Sequence, residues 1–172
     1  MGRGAIRNEA DSPMSILIVE DDPLVASTIR EVLGALGFAV AGIASSGNEA
    51  LWLVDQRPPS LALVDIRLVG PMDGIEVAQA LRSRHHVPVI FLSGFGDAAT
   101  IERAKAAQPL DFLVKPFRPS QVFNAINGVR THLALDKDTP LHRPDIGADG
   151  LQGLDAWRHE AAVADLVARI GR

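Results

Sequence analysis

The sequence predicts a doubly wound α/β fold in which five parallel strands alternate with five helices. Short, continuous apolar runs carry the first half of that reading: Ile16-Leu17-Ile18-Val19, Leu61-Ala62-Leu63-Val64, Val89-Ile90-Phe91-Leu92 and Phe112-Leu113-Val114. Their length and lack of polar alternation suit strands covered on both faces. The stretches between them carry apolar residues at helical spacing. A third observation concerns the run endings, which are Glu20-Asp21-Asp22, Asp65, Ser93 and Lys115-Pro116. In an open parallel sheet the working groups gather outside the carboxyl ends of the strands, so acids, hydroxyl and amine are expected in one crevice.

Taken in order, the first strand is followed by Pro23, which suits the first turn of a helix. Val25, Ile29, Val32, Leu33 and Leu36 give that helix an apolar stripe, and Gly37 suits its C-terminal cap. Asp22, just before Pro23, reads as an N-cap. Residues 39–44 form the second strand, and Ser46-Gly47-Asn48-Glu49 reads as a capping box for the second helix. Pro58-Pro59 punctuates before the third strand. Asp73 and Glu76 repeat the capping spacing ahead of a helix carrying Val77, Ala78 and Leu81, with His85-His86 at its surface end. Pro88 precedes the fourth strand, and a helix over about 97–107 follows. The last helix starts near Pro119 and shows Val122, Ile126, Val129 and Leu133. Right-handed crossovers wind this (βα)5 series into a sheet with helices on both faces. The order 2-1-3-4-5, flavodoxin-like, sets the first and third strands side by side.

Three regions are expected: a flexible N-terminal extension over 1–14, a folded domain over 15–135, and a tail over 136–172. Met14 is a candidate natural start. The tail opens with a linker rich in Asp, Pro and Gly up to Gly150. Leu154, Trp157, Ala161, Val163, Ala164, Leu166, Val167, Ala168 and Ile170 then predict a C-terminal amphipathic helix. The 172 residues carry a net charge of −4 and a pI of about 5.7, with mean hydropathy +0.14. There is no global basic footprint for nucleic acid, so direct DNA binding is not expected. With no cysteine, disulfides and thiolate metal sites are excluded. No apolar stretch approaches the roughly 20 residues of a membrane helix, and residues 1–13 lack the apolar centre of a signal peptide. A cytoplasmic location is expected.

The chemistry of the strand ends is that of Mg²⁺-assisted phosphoryl transfer to a carboxylate. A carboxylate approaching a phosphoryl group meets like-charge repulsion, which a divalent cation and an ammonium relieve. In this frame Val19-Glu20-Asp21-Asp22-Pro23, Leu63-Val64-Asp65, Ser93-Gly94 and Leu113-Val114-Lys115-Pro116-Phe117 stand in the order and spacing of a known family. Residues 15–135 resemble the response-regulator receiver domain of two-component signalling, of the CheY-like kind. The resemblance implies that Asp65 accepts a phosphoryl group from the phosphohistidine of a histidine kinase. It implies Mg²⁺ held by Asp21 and Asp65 directly, by Glu20 through water, and by the Arg67 backbone carbonyl. Lys115 would pair with one phosphoryl oxygen and Ser93 would bond another. Phe112 matches the switch aromatic and Pro116 the cis proline. Arg67 departs from the smaller or apolar residues common two places past the acceptor.

Such a domain signals rather than acting as an enzyme, although it assists its own phosphotransfer and dephosphorylation. The tail has room for one helix and not for a DNA-binding output domain, so the sequence reads as a stand-alone receiver acting through protein contacts. The alternatives are a phosphorelay shuttle or phosphate sink working with a phosphotransfer protein, or a flavodoxin-fold ligand-binding or enzymatic domain. The last predicts a phosphate-cradling loop and stacking aromatics and fits poorly, with no Tyr, only two Trp and a Gly94-Phe95-Gly96 stretch too short for a nucleotide fingerprint. Homodimerisation, through the C-terminal helix or the face of the fourth and fifth helices, is a further expectation.

Overall fold

The computed structural model describes residues 14–94 and 98–137. The expected tail helix and the N-terminal extension lie outside them. Five strands, β1 (Ser15–Val19), β2 (Ala39–Ala44), β3 (Leu61–Asp65), β4 (Val89–Ser93) and β5 (Asp111–Val114), alternate with five helices, α1 (Pro23–Ala35), α2 (Gly47–Gln56), α3 (Gly74–His85), α4 (Ala98–Ala106) and α5 (Pro119–Lys137). The sheet is parallel throughout, in the order β2-β1-β3-β4-β5.

Strand side chains alternate between two cores. Ile16, Ile18, Leu61, Leu63, Ile90, Leu92 and Leu113 face α1 and α5, where Ala26, Ile29, Leu33, Val122, Ile126 and Val129 meet them. Leu17, Val19, Ala62, Val64, Val89, Phe91 and Phe112 face α2, α3 and α4. Each fully buried Leu or Ile contributes about 1.5–3 kcal/mol relative to exposure, so both faces of the central strands are anchored. This is the physical reason for their unbroken apolar runs. The register between β1 and β2 shifts at Ile16/Leu17, where Val40 and Gly42 face consecutive β1 residues and Ala41 is passed over.

The helix ends follow side-chain chemistry. Asp22 caps α1, accepting from the N–H groups of Leu24 and Val25 at 2.8 and 3.3 Å. Gly37 beyond its C-terminus takes φ 81°, a conformation that costs glycine little. At α3 the expected capping box is complete: Asp73 and Glu76 each accept the other's backbone N–H at 2.9 Å. At α2 it is half formed. Ser46 accepts from the Glu49 N–H, but the Glu49 carboxylate turns to Ser45, taking its N–H and hydroxyl, each at 2.8 Å. Two donors from one residue outweigh the single cap N–H, and they hold the Glu49 carboxyl below its ordinary range. His86 is the αL cap of α3, while His85 is half-buried and faces Asp55 on α2 at 3.4 Å. Helix α5 extends slightly past Leu135, to Lys137.

Candidate functional site at the carboxyl edge of the sheet

Parallel register decides where the strand ends fall. Val19 pairs with Val64, Asp65 with Leu92 and Ser93 with Val114. Glu20, Asp21, Asp65, Ser93 and Lys115 therefore leave the sheet at one edge. Backbone bonds pin each exit: the Glu20 N–H donates to Ala44 O at 2.9 Å, Ile66 to Leu92 O at 3.0 Å, and Lys115 to Ser93 O at 2.7 Å. The Lys115–Pro116 peptide is cis.

Three side chains meet directly. Lys115 Nζ donates to Asp65 Oδ2 and to Glu20 Oε2, both at 2.6 Å. Glu20 is 2% exposed and Asp65 7%, so both acids are held largely away from water. Carboxylate oxygens of Glu20, Asp21 and Asp65 lie within 4.8 Å of one another. Burial pushes the Glu20 carboxyl above its ordinary range; the Lys115 bond opposes this, and repulsion from Asp65 adds to it. Burial alone would push Lys115 down, but its bonds and charge attraction to Asp65 and Glu20 outweigh that and raise it. Lys115 is thus held as an ammonium, while one positive charge faces three acids.

The donor set is all oxygen and under-neutralised, which is the chemistry a hard divalent cation such as Mg²⁺ satisfies. The residues present fit that group. Two further bonds tie the acids to the segment after β3: the Arg67 N–H donates to Asp65 Oδ1 at 3.0 Å and the Val69 N–H to Asp21 Oδ2 at 3.4 Å.

The remaining residues expected at the site lie at the end of β4, on β5 and just after β3. Ser93 is buried at 3% exposure, its hydroxyl donating to Gly94 O at 2.8 Å. Phe112 is buried against Phe91, ring centroids 5.6 Å apart and tilted by 39°. The Arg67 side chain is exposed. Sequence reasoning missed Gly74, whose added Cβ would lie 1.8 Å from Asp65 O and 2.9 Å from Ile66 Cα. Its position between the Asp73–Glu76 cap and an apolar helix face was the available signal. It also missed Arg103 on α4, whose Nη2 donates to Asp73 Oδ2 at 2.6 Å.

Known proteins share this architecture. The family model described as the response regulator receiver domain matches residues 16–127. The transcriptional regulatory protein PdtaR of Mycobacterium tuberculosis is 33% identical over 118 residues, covering 69% of this chain and 57% of that protein. The DNA-binding response regulator MtrA of Mycolicibacterium smegmatis is 34% identical over 132 residues, covering 77% and 56%. The chain spans little more than half the length of these curated relatives. Among solved structures, the signal receiver domain of a modulated diguanylate cyclase from Desulfovibrio desulfuricans G20 superimposes with a TM-score of 0.70 at 35% identity, over 73% of this chain and 99% of that one. The receiver domain of the response regulator PhyR from Erythrobacter litoralis gives 0.61 at 30% identity, over 71% and 93%. With its fold, its strand-end acids and lysine, and these matches, the chain belongs to the response-regulator receiver-domain family of two-component systems.

Proposed function

We propose that Asp65 is the phosphoacceptor of this receiver and that a histidine kinase supplies the phosphoryl group. An Asp65 Oδ–phosphorus bond forms as the nitrogen–phosphorus bond of the donor's phosphoimidazole breaks. The imidazole leaves with the electron pair and takes up a proton. Asp65 is left as an acyl phosphate. The observation that carries this reading is Lys115 bridging Asp65 and Glu20 at 2.6 Å, with Asp21 beside them.

Lys115 holds the acceptor carboxylate and places a positive charge where phosphoryl oxygens gather. Asp21, Asp65, the Arg67 carbonyl and, through water, Glu20 would hold Mg²⁺. That ion, when bound, neutralises phosphoryl oxygens during transfer. Ser93, one strand over, would exchange its bond with Gly94 O for one to a new phosphoryl oxygen. Phe112 lies on the neighbouring strand, where a shift of the Ser93 segment changes its packing. The output is a change of surface read by a phosphotransfer or effector protein in the cytoplasm.

Incubation with acetyl phosphate and Mg²⁺, followed by intact mass, tests the reading. One phosphoryl group should appear on the wild type and none on Asp65→Asn. Phosphoryl gain persisting in Asp65→Asn would move the acceptor elsewhere.

A further inference from the structure

The site is tied to α4 by a route that does not pass through Ser93. It begins at the two carboxylates. Asp65 Oδ1 and Asp21 Oδ2 each accept a backbone N–H from the segment joining β3 to α3, those of Arg67 and Val69. The far end of that segment closes back on the end of β3. Gly74 N–H donates to Ile66 O at 3.0 Å, and Gly74 is pressed against the Asp65 carbonyl so closely that no Cβ fits. Asp73, immediately before it, divides its carboxylate. Oδ1 caps α3 through the Glu76 N–H at 2.9 Å, and Oδ2 accepts Arg103 Nη2 at 2.6 Å.

Among the described residues, the buried apolar side chains of α4 are Ile101 and Ala104, with Ala107 just beyond its end. A second tie fixes that end: Arg82 of α3 donates to the carbonyls of Ala107 and Gln108 at 2.8 and 2.7 Å. Arg103 thus ties the body of the helix to Asp73, while Arg82 ties its C-terminal end to α3.

We infer that the Asp73–Arg103 pair couples occupancy of the acidic site to the position of α4, through the 66–72 segment. This rests on the reading of Glu20, Asp21 and Asp65 as a cation site. A cation drawing on the Asp65 and Asp21 oxygens competes with the Arg67 and Val69 N–H groups for the same lone pairs. The segment relaxes, Asp73 gives way, and the bond between Arg103 and the Asp73 oxygen weakens. The coupling is reciprocal: an intact pair resists cation binding, and a broken one favours it.

Hydrogen exchange of the full chain with and without Mg²⁺, together with calorimetric titration of Mg²⁺, tests this on wild type, Arg103→Ala, Arg103→Lys and Asp73→Asn. Asn retains an oxygen for the α3 cap while removing the charge that holds Arg103. In wild type, Mg²⁺ should accelerate exchange both at the 66–72 amides and in α4. In Arg103→Ala and Asp73→Asn, α4 should exchange on the order of two- to fivefold faster without Mg²⁺, the size expected for an exposed pair. The Mg²⁺ response should then vanish from α4 and persist at 66–72, with Mg²⁺ affinity rising by a similar factor. Arg103→Lys should restore part of the coupling. An α4 response that survives in Arg103→Ala, or equal Mg²⁺ affinity in wild type and both variants, overturns the coupling while leaving the cation site intact. Absence of Mg²⁺ binding to wild type overturns the site reading and the coupling with it.

Discussion

Gly74 stands against Asp65 so tightly that a methyl group at its Cα would lie 1.8 Å from the Asp65 carbonyl oxygen. The first residue of α3 and the last residue of β3 thus share a backbone contact that admits only hydrogen. Backbone, unlike a flexible side chain, cannot swing aside. Gly74→Ala should destabilise the domain by about 3 kcal/mol, at the upper end for inserting a methyl group into a packed site. Urea denaturation checks this, and phosphorylation of whatever folded protein remains should also slow, because Asp65 would be displaced.

Removing Lys115 leaves Glu20 and Asp65 facing each other without a counter-charge. Lys115→Ala should cost about 2 kcal/mol, less than for a fully buried pair because the lysine is partly exposed. Mg²⁺ should recover part of that loss in the variant. Thermal melts with and without Mg²⁺ measure both effects.

The pH dependence of stability has opposite signs at different groups. The Glu20 carboxyl is raised above 4.5 in the fold, so the folded state binds its proton more tightly than the unfolded chain. Its contribution becomes less favourable as pH rises from 4.5 through the raised folded value. Glu20→Gln should flatten that segment of a stability–pH curve. Asp73 is lowered from 3.8: burial opposes this, but the N–H groups of Glu76 and Ile75 and the Arg103 charge outweigh it. The stability it supplies is complete above 3.8 and lost as pH falls through the lower folded value, a loss that Asp73→Asn should lack. Lys115, raised above 10.5, supplies stability that is complete below 10.5 and lost as pH climbs past it. Denaturant midpoints from acid to alkaline pH read all three.

Phe112 should behave as a core residue as well as a candidate switch. It is buried on β5 against the Phe91 ring, and Phe112→Ala should cost about 3 kcal/mol. Phe112→Leu should keep most of the stability while changing partner affinity of the phosphorylated protein. Comparing denaturant midpoints with binding titrations separates the two contributions.

The fold was legible because β1, β3 and β4 are buried on both faces, which forces continuous apolar runs, and because each run ends in a polar group. The convergence of Glu20, Asp21, Asp65 and Lys115 followed from strand endings in a parallel sheet. Contacts that depend on the path of a loop were not legible. Nothing in the spacing of Asp73 and Arg103, thirty residues apart, marks them as partners. Nor does it foretell that the Val69 amide turns to Asp21, or that Glu49 prefers Ser45 to Ser46. A long arginine on a helix surface reads as solvated until the neighbouring cap is placed beside it. The tail around Trp157 lies outside the described residues.

The register shift where β1 meets β2 bears on how copies of this domain avoid one another. β2 is an outer strand, and an outer strand offers a row of free N–H and C=O groups on which another chain can build. Skipping Ala41 interrupts the even register of β2 against β1, and irregularities of this kind increase the local twist of a strand. A flat template of repeating donors and acceptors is thereby lost on this border. Association by strand addition is disfavoured on that border, which leaves β5 as the uninterrupted outer strand of the sheet.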